Sequence, residues 1–129
     1  MEYEPVFLTR EQIDAIHRQQ LEDWGGLQGL RNENGLESAI AQPRNAYLYG
    51  DGDLYEIAAA YAYHIAESQA YIDGNKRTAL QAALDFLEIN GVDTTPLPEL
   101  ATYEAMIRIA THELDRAGLA AFLRATLPG

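Results

Sequence analysis

Two sets of apolar residues at helical spacing, Leu54, Ile57, Ala58, Tyr61, Ala62, Ile65 and then Leu80, Ala83, Leu84, Leu87, flank the stretch Gln69-Ala70-Tyr71-Ile72-Asp73-Gly74-Asn75-Lys76-Arg77-Thr78. A chain of this pattern runs one helix into a sharp turn and leaves it by another. Gly74 permits the turn, because a residue without Cβ takes a left-handed backbone at no steric cost. The amides of Asn75, Lys76 and Arg77 then open the second helix without partners. Such donors, together with the positive end of the helix dipole, form a site for phosphate or another anion. The cations Lys76 and Arg77 oppose that dipole unless an anion lies between them, so their placement implies a phosphate. Asp73, just before the glycine, suits Mg2+, which takes one or two carboxylates with phosphate oxygens and water. The plain alternative is an ordinary interhelical turn followed by a solvated Lys-Arg pair, since Asp-Gly and Gly-Asn are common turn dipeptides. The spacing is not that of a Walker loop.

The remaining segments read as scaffold. Thr9 with Gln12 forms a capping box, and Ile13, Ile16, Leu21 and Trp24 continue a helix to about Asp23, where Gly25-Gly26 stops it. Arg31 to Gly35 reads as a polar loop, and Leu36, Ala39 and Ile40 as a short helix ending before Pro43. Tyr47-Leu48-Tyr49, between turn formers, is compatible with a brief extended hairpin or a surface loop. Asp53 with Glu56 caps the helix that carries the first apolar stripe, which should be central and buried, and Asn90-Gly91 ends the helix that carries the second. An extended, proline-marked connection over Thr94 to Pro98 leads to a helix reaching about His112, and Asp115 caps a last one with Leu119, Phe122, Leu123 and Leu127 inward. His17 on the first helix reads as a surface or boundary histidine. The expected architecture is all-α, a compact bundle of about six helices in one domain over residues 1–129, with a short β-hairpin flap at Tyr47-Leu48-Tyr49 as an option.

Composition narrows the function. A net charge of -11 opposes the grip on phosphate backbones that nucleic-acid binders rely on, so no nucleic-acid partner is expected. No run approaches the roughly 18 to 20 apolar residues of a membrane span, and Met1-Glu2-Tyr3-Glu4 lacks the basic-then-apolar order of a signal peptide. The absence of cysteine removes disulfides and thiolate metal sites and agrees with a cytoplasmic address.

Asp73-Gly74-Asn75-Lys76-Arg77-Thr78-Ala79-Leu80 closely resembles the core motif of the Fic/Doc family, in its death-on-curing (Doc) branch, written His-x-Phe-x-Asp/Glu-Gly/Ala-Asn-Lys/Gly-Arg. The likeness extends to Leu8-Thr9, Gly29-Leu30-Arg31, Gly35 to Ile40 with Pro43, Tyr55 to Ala60, and Phe86 to Gly91. It departs at one place: Gln69 stands where the family carries its catalytic histidine, followed by Ala70 for a frequent proline and Tyr71 for phenylalanine.

The resemblance implies transfer of a phosphoryl or adenylyl group from ATP to a hydroxyl of a target protein, in the Doc branch a translation elongation factor such as elongation factor Tu. It implies a toxin held by an antitoxin protein. Carried over by position, Asp73 holds Mg2+, Gly74, Asn75 and Lys76 bind phosphate oxygens, Arg77 neutralises transition-state charge, and Tyr47-Leu48-Tyr49 is a flap pairing with the target backbone. Gln69 can orient a hydroxyl but has no accessible basic state, so the general-base assistance of about 10²- to 10⁴-fold is lost while the anion site survives. A natural loss and a deliberate replacement of the histidine predict the same crippled domain. His64 lies about 140° around the helix from position 69 and points elsewhere; Glu67 reads as a solvent-face residue and Tyr71 as core. The alternative reading is a non-catalytic nucleotide- or protein-binding module of the same fold.

Overall fold

The structure, a computed structural model, describes residues 4–127. Met1, Glu2 and Tyr3, on which the signal-peptide reading rests, lie outside the described residues, as do Pro128 and Gly129. Six helices follow in order: α1 (Arg10–Trp24), α2 (Glu33–Gly50), α3 (Leu54–Ser68), α4 (Asn75–Ile89), α5 (Glu99–Ala110) and α6 (Arg116–Thr126). The all-α bundle expected from the pattern is the one found.

Side-chain caps start most of these helices where the sequence marks them. Thr9 and Gln12 close the capping box of α1, Asp53 and Glu56 that of α3, and Asp115 accepts from the Gly118 amide at α6. The α3 helix is the axis of the fold, packed most extensively against α4 and α2 and also against α6, while α1 lies along α4. Ile57, Ala58, Ala59, Ala60, Tyr61, Ala62 and Ile65 are all buried, so α3 is apolar around nearly its whole circumference, and its four central alanines let neighbours approach closely. Phe86 and Leu87 of α4, Met106 and Ile109 of α5, and Leu119 and Leu123 of α6 close around it. Each such Leu, Ile or Phe side chain contributes about 1.5 to 3 kcal/mol by leaving water. The Tyr61 hydroxyl meets this core by accepting from the Leu8 amide at 2.8 Å, and burial pushes its pKa up to about 12.

The segment between α1 and α3 departs from the sequence reading. Arg31 and Asn32 are loop as expected, but the rest of the expected loop, Glu33 to Gly35, the short helix stopping before Pro43 and the hairpin at Tyr47-Leu48-Tyr49 are replaced by one continuous helix. Asn32 starts it early by accepting from the Gly35 amide at 2.9 Å. Pro43 lies inside it and is buried. A proline within a helix forfeits one hydrogen bond and crowds the preceding turn, but it does not end a helix that packs on both sides of it, and α2 lies along α3. Tyr47 belongs to the last part of α2 and meets the Phe7 ring edge-on at 6.0 Å. Leu48 and Tyr49 are exposed, and Asp51 ends the helix in a left-handed conformation. A further small difference is at Thr94 to Pro98, which closes as a turn through Leu97 N–H to Thr94 C=O at 3.1 Å rather than running extended.

Candidate anion-binding site

Helix α3 ends in Gln69, which takes a left-handed conformation at φ 46° and ψ 38°, uncommon for a residue with a side chain. This turn out of the helical path leaves Gln69 exposed at the edge of a cavity, while the next two residues, Ala70 and Tyr71, are buried. The chain then runs beside the α1–α2 loop. The Arg31 and Asn32 amides donate to the Ala70 carbonyl at 2.6 and 3.1 Å, the Ile72 amide donates to the Gly29 carbonyl at 3.0 Å, and Leu30 and Tyr71 form an antiparallel bridge. Gly29 has a φ of 137°, a conformation that residues with a side chain rarely adopt, and a Cβ there would also displace the tip of Ile72, standing 2.5 Å from its Cδ1.

The far side of the turn rests on α1. The Tyr71 hydroxyl donates to Asp14 Oδ1 at 2.6 Å, and its ring stacks on His17 with centroids 3.7 Å apart and planes 9° from parallel. Burial and that bond to Asp14 push the Tyr71 hydroxyl above its usual range. His17 Nε2 donates to the Asp73 carbonyl at 2.8 Å. The surface or boundary reading of His17 is therefore corrected: the residue is 5% exposed and supports the turn. Its function was not visible residue by residue, although Asp14, His17 and Leu21 share a helix face at three- and four-residue spacing.

Two side chains of the turn hold it from within. The Asn75 carboxamide donates from Nδ2 to the Tyr71 carbonyl at 2.8 Å and accepts from the Tyr71 amide at Oδ1 at 3.0 Å. Asp73 Oδ2 accepts from the Leu27 amide at 2.7 Å, and its Oδ1 has no partner among the described residues. Gly74 is the N-cap of α4 at φ 80° and supplies no side-chain bond. Four other helices are capped by Thr9, Asn32, Asp53 and Asp115, so the first amides of α4 remain open donors.

These donors edge a cavity of about 340 Å³ whose wall includes Gln69, Asp73, Gly74, Asn75, Lys76 and Arg77, the residues singled out in the sequence. Arg31 and Glu67 join them. Arg31 was read only as part of a polar loop and of a family-like stretch, and the solvent-face reading of Glu67 is corrected, since α3 turns it to the cavity, where Oε1 lies 3.8 Å from His112 Nδ1. Three cations thus face two carboxylates in a chain of net charge -11. Among the described residues neither Lys76 nor Arg77 pairs with a carboxylate; the Arg77 guanidinium stands 5.1 Å from the Trp24 ring centroid.

The described residues contain no cluster of three metal-ligating side chains. Asp73 with one unengaged oxygen nevertheless fits Mg2+, which is completed by phosphate oxygens and water. His64 is absent from the cavity wall: its Nε2 accepts from Arg116 Nη1 at 3.1 Å, and burial together with that cation lowers its pKa. Tyr47, Leu48 and Tyr49 do not line the cavity either. The arrangement offers a phosphate open amides and cations, with Gln69 on the same cavity wall.

Residues 7–87 match the model of a family described as the Fic/DOC family. The chain is similar to "Protein kinase doc" of Escherichia phage P1, at 34% identity over 118 residues covering 91% of this chain and 92% of that protein. It is also similar to "Toxin Doc" of Mycolicibacterium smegmatis, at 36% identity over 104 residues covering 78% and 79%.

Proposed function

The chain belongs to the Fic/DOC family, and on that premise we propose that it is a Doc-like toxin whose phosphate site is intact and whose group transfer is crippled by Gln69. The observation that carries this reading is the uncapped start of α4 opening, with Arg31, Lys76 and Arg77, onto one cavity that Gln69 also lines. ATP is the phosphate donor. The amides of Asn75 to Arg77 and the three cations hold its phosphate oxygens, and Asp73 would hold Mg2+, which would supply charge neutralisation there. A hydroxyl of the target protein, taken from the resemblance to be elongation factor Tu, attacks phosphorus. The new O–P bond forms as the bond to the leaving group breaks, ADP for attack at the γ-phosphorus or pyrophosphate for attack at the α-phosphorus, and Arg77 offsets the charge that develops. The hydroxyl proton must go to a base, and Gln69 accepts none at neutral pH. The carboxamide can orient the hydroxyl, so binding is retained and transfer is slow. The exposed Leu48 and Tyr49 at the end of α2 are a target-contact surface, helical rather than strand-like.

The similarity to named Doc toxins supports an antitoxin as partner. A cavity of about 570 Å³ between α1, α4 and α5, walled by Trp24, Leu80, Leu100 and Tyr103 beside Arg77, is suited to an amphipathic segment that folds on binding. Such binding should show a large negative heat-capacity change in calorimetry.

The test is transfer of label from γ- and α-labelled ATP to purified elongation factor Tu and to a cell extract, by this protein and by Gln69→His. Activity gained only in the histidine variant, by about 10²- to 10⁴-fold, supports a disabled transferase. The position of the transferred label distinguishes phosphorylation from adenylylation. Nucleotide binding by both proteins with transfer by neither favours the second reading, a non-catalytic nucleotide-binding module, which the absence of a base at position 69 also suits.

A further inference from the structure

We propose that His17 is a positioning residue for the phosphate site, acting by fixing the Asp73–Gly74 peptide plane; the inference rests on the anion-binding reading of the turn. A carbonyl oxygen only accepts hydrogen bonds, so the 2.8 Å contact from His17 Nε2 to the Asp73 carbonyl requires the proton on Nε2. In a planar trans peptide the N–H points opposite to the C=O. Pulling the Asp73 carbonyl toward α1 therefore turns the Gly74 N–H away from α1. No α1 residue contributes to the cavity wall, whereas Asp73, Gly74 and Asn75 all do, so the side away from α1 is the cavity side. With the plane reversed, a carbonyl dipole would face the incoming phosphate where an amide donor now stands.

The surroundings of His17 make it a fixed stop rather than a passing neighbour. Its ring lies flat on Tyr71, whose hydroxyl is tied to Asp14 one helical turn earlier on α1. Gly74 lies beside the ring, where a Cβ would stand in ordinary contact with it, 3.5 Å from His17 Cδ2. Gly74 at φ 80° has the conformational freedom for its plane to turn, and His17 is the side chain that bonds the carbonyl of that plane. The histidine thus converts a permissive glycine turn into one with a fixed set of donors, which is how preorganisation raises affinity without adding a contact to the ligand.

The test separates the ring from the hydrogen bond. His17→Phe keeps an aromatic face for Tyr71 and removes the donor; His17→Gln keeps an N–H donor near the Nε2 position and removes the stack; His17→Ala removes both. Affinity for Mg-ATP and for pyrophosphate is measured by calorimetry, thermal stability by circular dichroism, and the Gly74 amide by nitrogen-proton correlation and hydrogen exchange in the ligand-free protein. The expected result is a loss of affinity of about 10-fold in His17→Phe with a shifted Gly74 amide, and a loss of no more than about 3-fold in His17→Gln. Equal affinity of His17→Phe and the parent would overturn the proposal, as would an affinity loss that tracks melting temperature across all three variants with the Gly74 amide unmoved. If the parent protein binds neither Mg-ATP nor pyrophosphate, the anion site itself falls and His17 positions nothing. A shifted Gly74 amide in His17→Phe would then leave only a structural clamp.

Discussion

Asn75 is bonded twice to the backbone of Tyr71, donating to its carbonyl at 2.8 Å and accepting from its amide at 3.0 Å. One Nδ2 proton and one Oδ1 lone pair are thereby engaged, so what Asn75 has left for a phosphate is its second Nδ2 proton and its main-chain N–H, held by the shape of the turn. Asn75→Asp keeps the acceptor, loses the donor and adds a negative charge at the mouth of the site. The expected outcome is destabilisation of about 1 kcal/mol for the part-buried Tyr71 carbonyl that loses its donor, seen as a lower melting temperature, and a loss of phosphate affinity that Asn75→Ala does not match. Equal affinity in the two variants would show that charge at this position does not reach the ligand.

Thr78, one turn into α4, is fully buried and its hydroxyl has no hydrogen-bond partner among the described residues. A buried hydroxyl without a partner costs roughly 1 to 3 kcal/mol relative to a group that needs none. Thr78→Val replaces it with a methyl of similar volume and should raise the melting temperature by about 3 °C or more, with nucleotide affinity unchanged. A lower melting temperature would mean that the hydroxyl is satisfied in solution.

The parts of the fold legible in the sequence were those in which local chemistry and packing agree. Thr9 with Gln12, Asp53 with Glu56, and Asp115 each mark a helix start because the capping bonds are made within one turn. Helix α2 was not legible, because Pro43 argues locally for an end and only packing along α3 argues for continuation. The same division holds at the site. Gly74 to Arg77 announces itself by composition, whereas His17, Asp14 and Leu27 reach the turn from more than 40 positions earlier in the chain. Glu67 was misplaced because a helical wheel fixes its angle on α3 but says nothing of the concavity that begins where α3 stops.

His64 carries a signed pH dependence. Its pKa is lowered in the folded protein, first by burial and then by Arg116, so the folded state keeps it neutral to lower pH than the unfolded chain does. The unfolded histidine takes up its proton near pH 6.5. Below that pH the unfolded state binds the extra proton and stability falls; above it the contribution is constant. Thermal melts from pH 8 to pH 5 should show a steeper loss of stability below about pH 6.5 for the parent than for His64→Phe. Parallel curves would mean that the folded and unfolded pKa values are alike.

Arg77 and Trp24 supply the means to observe the anion site directly. The guanidinium stands over the indole at 5.1 Å, both groups are exposed, and the chain has a single tryptophan. A cation over an indole is held by about 0.5 to 1 kcal/mol at an exposed position, less than a charge-assisted bond to phosphate offers. An anion in the cavity should therefore draw Arg77 from the ring and change the tryptophan emission. Titration with Mg-ATP or pyrophosphate is expected to give a saturable fluorescence change that weakens as monovalent salt is raised. Arg77→Ala should remove that change and shift stability by no more than about 0.5 kcal/mol, because a solvated arginine with no carboxylate partner contributes little to the fold. Calorimetry on the same variant decides what the arginine does. Weaker binding with the signal gone makes Arg77 a ligand to the phosphate, whereas undiminished binding with the signal gone would make it a reporter at the edge of a site that the amides and Lys76 hold alone.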